Sequence, residues 1–293
     1  YYLKYYLILF FLIFYFLLLN FLSKKITQVN LVTFSSIILS LYFFEIYTIN
    51  TSFKYEKNNI KSIKARIYKE KYNKNYDKRT LKEVFNDEVR PNESNVLAVY
   101  PSSYLFNNFL EKSNTEIFPL SGISKKNTIL CNENGYYSNY ISDRYGFNNP
   151  DYEWENKNIE FMLLGDSFVH GSCVNPPDDL GSRLRIISKG SVLNLGYGGN
   201  GPIIQLASLK EYSTDIKIKN ILWFFHESND MINLDQELQN KRLKKYLDFD
   251  DHLNHLKQKQ DLINKINLKN LNESFKNIEN TDDKKNQIMS NLK

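Results

Sequence analysis

The chain is poor in the residues that build specialised sites. Of 293 residues only two are Cys, Cys131 and Cys173. That excludes a disulfide-dense small domain and a cysteine-cluster zinc site. Eleven Gly and seven Pro exclude a collagen-like or Gly/Pro-rich low-complexity chain. Histidine is scarce too: the four His, at 170, 226, 252 and 255, do not stand with carboxylates at ligand spacing. Neither a metal nor a cofactor is therefore expected. Nor is there a strong excess of one charge. The net +5 is modest and diffuse, and no basic motif carries interleaved aromatics, so nucleic acid is not an expected partner. The first residue is Tyr and the last is a Lys within a polar helical pattern, so the chain reads as a fragment open at both ends.

What is abundant is unevenly placed. Residues 5–22 are apolar apart from Asn20 and carry no charge, which is the length needed to cross a bilayer. A cleaved signal peptide is the rival reading, but the apolar part is long for one and no small-residue cleavage site follows. A second apolar stretch, 31–49, is interrupted by Ser35, Ser36, Ser40 and Glu45 and still long enough to span. Two N-terminal transmembrane helices are expected. Lys24 and Lys25 between them suggest a cytoplasmic connector and a main domain outside the cytoplasm. Lys54, Lys57, Lys61, Lys64, Arg66 and Lys69 after the second stretch argue the other way, so charge counting alone leaves the side open. Residues 51–95 read as a basic juxtamembrane helix and a linker.

A compact domain is expected from Val96 to about 233. It opens on a buried-strand candidate, Val96–Tyr100, and residues 121–158 read as loops. An alternation follows: strand 159–164, helix about 178–189, strand 192–195, helix 202–212 with Pro202 in its first turn, strand 218–225. Strands alternating with helices imply an α/β fold with a parallel sheet covered on both faces, its ligand site outside the carboxyl ends of the strands. Residues 234–293 are polar with a thin stripe of Leu and Ile, read as a helical insertion or solvated arm.

Three short motifs stand at those strand ends. Gly165-Asp166-Ser167-Phe168 places a serine at a strand-to-helix turn, where an exposed hydroxyl can act as a nucleophile. Asn194-Leu195-Gly196-Tyr197-Gly198-Gly199-Asn200-Gly201 frees the backbone to aim N–H groups at a ligand. A phosphate-binding loop is the rival reading, but the Gly-Lys-Ser/Thr ending is missing. His226-Glu227-Ser228-Asn229-Asp230 brings a side-chain amide able to donate to an oxyanion; a turn or helix cap is its bland reading.

The order and spacing of these motifs resemble the SGNH (GDSL-type) hydrolase family. Ser167 lies 32 residues before Gly199, and Gly199 lies 30 before Asn229. The stretch Ser142-Asp143-Arg144-Tyr145-Gly146-Phe147-Asn148-Asn149 is similar to the lead-in of envelope-associated members. The resemblance covers about residues 140–232. It implies a three-layer α/β/α, flavodoxin-like parallel sheet. It makes Ser167 the nucleophile, with the Gly199 N–H, the Asn229 amide and the Ser167 N–H as oxyanion donors. Asp166 and Asp230 support the site. Ser228 departs from the Gly usual before the Asn of the third motif. No Asp stands three residues before any His, so the family's Asp-x-x-His base is not in this chain. His170 and His226 read as structural, and the chain alone is expected to turn over little. The resemblance also puts Cys173 soon after the nucleophile, where it reads as a packed thiol. Pairing with Cys131 outside the cytoplasm is the alternative.

Two functions follow. One is ester hydrolysis or O-acyl transfer through an acyl-enzyme on Ser167, with an envelope glycan or lipid as the acyl ester substrate and the membrane as a partner. The other is a non-catalytic, membrane-anchored glycan-binding or assembly domain.

Overall fold

The computed structural model describes residues 10, 15, 23–107, 109–248 and 252–291, with side chains described at all of these except 50–61 and 277–291. The chain divides into two units, Tyr1–Ile67 and Tyr68–Lys293. The long helix α1, Lys24–Tyr72, runs through the first. Its Lys24–Ile49 portion is the one stretch among the described residues long and apolar enough to cross a membrane, and none of it is buried within the protein. Twenty-six residues span about 39 Å as a helix, more than the ~30 Å hydrocarbon core. The Ser and Thr hydroxyls that interrupt its apolar surface bond back to their own helix: Thr33 to the Val29 carbonyl at 2.9 Å, Ser36 to Val32 and Ser40 to Ser36, each at 2.8 Å. A helix in lipid must satisfy its polar groups internally, and these are satisfied.

Two expectations change here. Lys24 and Lys25 begin α1 and are not a connector between two helices. The expected first span, 5–22, lies outside the described residues apart from Phe10 and Tyr15. One spanning helix is therefore described where two were expected.

In the second unit the ordered core starts well before Val96. Thr80 and Glu83 form a reciprocal capping box on the short helix Leu81–Val84, which continues as a π-helical turn over Phe85–Val89. Val84 and Phe85 are buried, and Phe85 stacks on Phe275 with ring centroids 4.1 Å apart. The end of the stretch read as a basic juxtamembrane helix is thus part of the core. Strands β1 (Asn95–Leu97), β2 (Asn127–Ile129) and β3 (Asn139–Ile141) form a small sheet in that order, β1–β2 parallel and β2–β3 antiparallel. Two of these strands fall in the region read as loops; at three residues each they are too short for a period-2 pattern to register.

The second sheet follows the expected alternation. Strand β4 (Asn158–Leu164) leads to the one-turn helix α2 (Ser167–His170) and to α3 (Leu180–Ser188). Strand β5 (Val192–Asn194) leads to α4 (Pro202–Tyr212), and β6 (Lys217–Trp223) to α5 (Asp230–Glu237). The order is β5-β4-β6, all parallel, with Leu163 of β4 opposite both Asn194 and Leu222. Helices cover both faces. Ile203, Ile204 and Ala207 of α4 join Met162, Leu164 and Leu193 in one cluster. Leu180 and Leu184 of α3 pack against Leu163 and Val192 in another.

The polar C-terminal region is not a solvated arm. Leu243, Tyr246, Leu256, Ile263, Ile266, Leu271 and Phe275 are all buried in the larger cluster. The helix α6 (Gln260–Asn291) is docked by asparagines as much as by apolar residues. Asn267 accepts from the Tyr104 hydroxyl at 2.7 Å and donates to the Ser121 carbonyl at 3.0 Å, and Asn264 accepts from the Ser124 N–H at 2.9 Å. Cys131 and Cys173 form a disulfide with their Cα atoms 4.9 Å apart, so Cys173 is not a free packed thiol. The bridge ties the end of the small sheet to the loop after α2.

Candidate active site at the strand ends

Because β5, β4 and β6 are parallel and adjacent, their carboxyl ends share one edge, with neighbouring strands about 4.8 Å apart. Each end carries one of the three motifs: Ser167 follows the central strand, Gly199 follows β5 and Asn229 follows β6. Gly165 makes the turn out of β4 possible, since a Cβ there would lie 2.5 Å from Val169 and 3.2 Å from Phe224. Asp166 caps α2 by accepting the Phe168 N–H at 3.2 Å. Ser167 is half-buried, and among the described residues neither its N–H nor its Oγ has a hydrogen-bond partner.

The second motif is bonded onto the first. The Tyr197 N–H donates to the Gly165 carbonyl at 3.3 Å, and the Asn194 amide donates to the Val169 carbonyl. Gly199 has φ +74, a backbone conformation that favours glycine, and a Cβ on it would stand 2.6 Å from the Ser102 hydroxyl. Its N–H has no backbone acceptor among the described residues. The third motif closes on the first through Asn229, whose amide donates to Asp166 at 2.9 Å. This bond sets the amide orientation: Nδ2 faces the carboxylate with one N–H to spare, while Oδ1 is buried without a partner. Asp230 accepts the His226 N–H at 2.6 Å; burial pushes its carboxyl up, the neighbouring Asp166 charge adding to the effect. Asp166 and Asp230 thus hold backbone N–H groups and the Asn229 amide in place.

The histidines separate clearly. His170 is fully buried, its ring stacked on Tyr197 at 4.1 Å, and burial drives its pKa down to about 3. Nδ1 accepts from the Gly198 N–H at 3.4 Å, so Nε2 carries the proton and faces the Tyr140 hydroxyl at 3.0 Å. This imidazole braces the glycine loop. His226 stands exposed at the correct edge, ring-stacked on Phe168 at 5.9 Å and paired through Nδ1 with the Ser228 hydroxyl at 2.8 Å. His255 lines a cavity of about 190 Å³ with Tyr145, Asp215 and Lys257, next to the start of β6 and so at the opposite end of the strands. A larger depression of about 490 Å³ lies at that same end, bounded by Asn158, Glu160, Ser191 and Lys217. Neither cavity contains a motif residue.

The stretch 142–149 acts from below. Buried Asp143 accepts the Tyr145 and Phe147 N–H groups, the Trp154 indole and the Asn149 amide, all between 2.7 and 2.9 Å. Desolvation still prevails and raises its carboxyl to about 6. Asn149 pairs twice with the backbone of Asn194, and Asn148 donates to the His170 carbonyl at 2.9 Å. This segment therefore braces the end of β5 and the end of α2.

Sequence reasoning missed Asn233 and Glu237. Glu237 falls in the region read as a helical insertion or solvated arm and Asn233 just before it, although Asn229, Asn233 and Glu237 are spaced four apart, the signature of one helix face. Glu237 is fully buried and accepts the N–H groups of Gly201 and Ile203, each at 2.7 Å. Burial raises its carboxyl to about 7 against these backbone donors. It fills the N-terminus of α4, which answers the phosphate-loop reading: the backbone donors a phosphate would use already hold a carboxylate.

Compared with known proteins, the chain matches no family model, no curated protein and no solved structure.

Proposed function

We propose that this chain is a membrane-anchored SGNH-type serine hydrolase or acyltransferase with a flavodoxin-like three-layer core. The observation that carries the reading is the convergence of Ser167, Gly199 and Asn229 at adjacent strand ends, with hydrogen bonds linking all three motifs. Ser167 Oγ attacks an ester carbonyl. The oxyanion that forms is met by the Ser167 N–H, the Gly199 N–H and the remaining N–H of Asn229. The tetrahedral species collapses, the alcohol leaves with a proton, and an acyl-Ser167 remains. Water then releases the acid, or a sugar hydroxyl takes the acyl group. No metal or cofactor takes part in this scheme. The serine's proton needs a base within reach of Oγ, a role for which burial disqualifies His170.

The Cys131–Cys173 disulfide supports placing the domain outside the cytoplasm, because such bonds persist in oxidising compartments. The spanning helix then keeps the site close to envelope glycans and lipids. The test is hydrolysis of a p-nitrophenyl ester by the full-length protein. Ser167→Ala should lower kcat by about 10³-fold or more. Equal turnover by the two proteins would refute the reading.

Two observations favour the second reading, a non-catalytic binding domain: Asn229 already donates to Asp166, and none of the four His has an orienting Asp at the family's spacing. Glycan binding by a full-length protein that shows no turnover would support it.

A further inference from the structure

Helix α5 faces the candidate oxyanion hole with a single polar stripe. Asn229 at its cap, Asn233 one turn on and Glu237 a turn further lie on one face. Each reaches a different part of the motif set. Asn229 bonds to Asp166, the residue before the nucleophile. The Asn233 amide donates to the Gly199 carbonyl at 3.4 Å. Glu237 takes the Gly201 N–H on one carboxylate oxygen and the Ile203 N–H on the other.

The last contact replaces a missing local one. A helix leaves its first N–H groups unpaired, and a Ser, Thr, Asp or Asn at the cap ordinarily accepts from them. The cap of α4 is Gly201, which has no side chain to do so. Glu237 does it from a neighbouring helix, and its charge suits the positive end of α4. The fit is close: a Cβ on Gly201 would lie 2.7 Å from Asn233 and 2.8 Å from Glu237. The glycine loop is thus held on both flanks, by β5 and His170 on one side and by α5 on the other. Between these anchors lies Gly199, whose N–H direction depends on a left-handed φ that a loose loop would not keep.

We propose that Asn233 and Glu237 are positioning residues for the oxyanion hole, aiming the Gly199 N–H by anchoring the loop that follows it. This rests on the acyl-enzyme reading of Ser167. In Glu237→Gln an amide NH₂ faces one of the two backbone N–H donors, so one anchor is lost while size is kept. In Asn233→Ala the Gly199 carbonyl loses its donor.

The experiment is covalent modification of the full-length protein by a fluorophosphonate, with kinact and KI measured separately. The phosphonyl oxygen occupies the oxyanion position, so the ³¹P shift of the adduct reports the donors directly. For Glu237→Gln a fall in kinact of about tenfold or more is expected, since complete loss of one donor costs about 10²–10³. KI should stay within about threefold, and the ³¹P signal should move. Asn233→Ala should change kinact and the ³¹P shift in the same direction, and it decides the matter if Glu237→Gln does not fold. A wild-type protein that reacts while both folded variants match its kinact and ³¹P shift would overturn the positioning role and leave the acyl-enzyme reading standing. A wild-type protein that does not react at all would remove both.

Discussion

At the scale of single residues, the site is an arrangement of bonds among short polar side chains. Asp166 serves two neighbours at once, the Phe168 N–H and the Asn229 amide. Asp166→Ala should therefore lose about 1 kcal/mol of cap stability and also release Asn229. We expect a fall in kcat of about tenfold or more with little change in KM, checked by steady-state kinetics beside thermal unfolding. Two buried groups give opposing pH signatures. Glu237 has its folded value raised to about 7, so the folded state holds that proton more tightly than the unfolded chain does. Its contribution is largest below the ordinary glutamate range and is lost as pH rises to about 7, on the order of 2–3 kcal/mol. His170 has its folded value lowered to about 3, so its contribution is present above about 6.5 and is lost as pH falls. The two slopes oppose one another between about pH 4.5 and 6.5. Urea unfolding of Glu237→Gln across that window should show stability falling more steeply on acidification than in the wild type. His170→Phe should show the reverse. Parallel curves for all three proteins would count against both assignments.

At the scale of elements, the prediction concerns how α6 is attached. Asn267 satisfies both the Tyr104 hydroxyl and the Ser121 carbonyl inside the core. Asn267→Leu should leave both unpaired and destabilise the domain by about 2–4 kcal/mol, although a side chain of at least equal volume is kept. Chemical denaturation measures this, and an unchanged midpoint would contradict the docking described here. The same residue shows why part of the fold was illegible. Strands β4, β5 and β6 and helices α3 and α4 were readable because their runs of Ile, Leu and Val lie between Gly and Pro signals, and all fell within about two residues of their true limits. Helix α6 was not readable as core, because Asn counts as polar in any periodicity and its partners sit more than a hundred residues away. The burial of the capped turn before β1 was missed for a related reason: Phe85 is a lone aromatic in a charged run, and its partner is Phe275. The site was legible as three motifs at three strand ends. Two of its supports, Asn233 and Glu237, were not read, since both act on backbone groups of the loop after β5, some thirty residues away.

At the scale of the whole molecule, one apolar helix and one disulfide frame the account. The Cys131–Cys173 bond joins residues 42 apart, and its loss should cost about 2–4 kcal/mol. A Cys131→Ser, Cys173→Ser double variant should accordingly melt several degrees lower. Thiol labelling of the denatured, unreduced protein from its native host should find no free cysteine, whereas two labelled thiols would place the domain in a reducing compartment. The helix Lys24–Ile49 should keep the protein in the alkali-resistant membrane fraction, and its release by carbonate would argue against a spanning role. The central claim remains that Ser167 is a nucleophile set among converging donors. It is tested most directly by treating the full-length protein with a fluorophosphonate and mapping the adduct by peptide mass spectrometry. A single adduct on Ser167 is expected, and it should disappear in Ser167→Ala. No adduct on a folded protein, or an adduct on another residue that persists in Ser167→Ala, would contradict the claim.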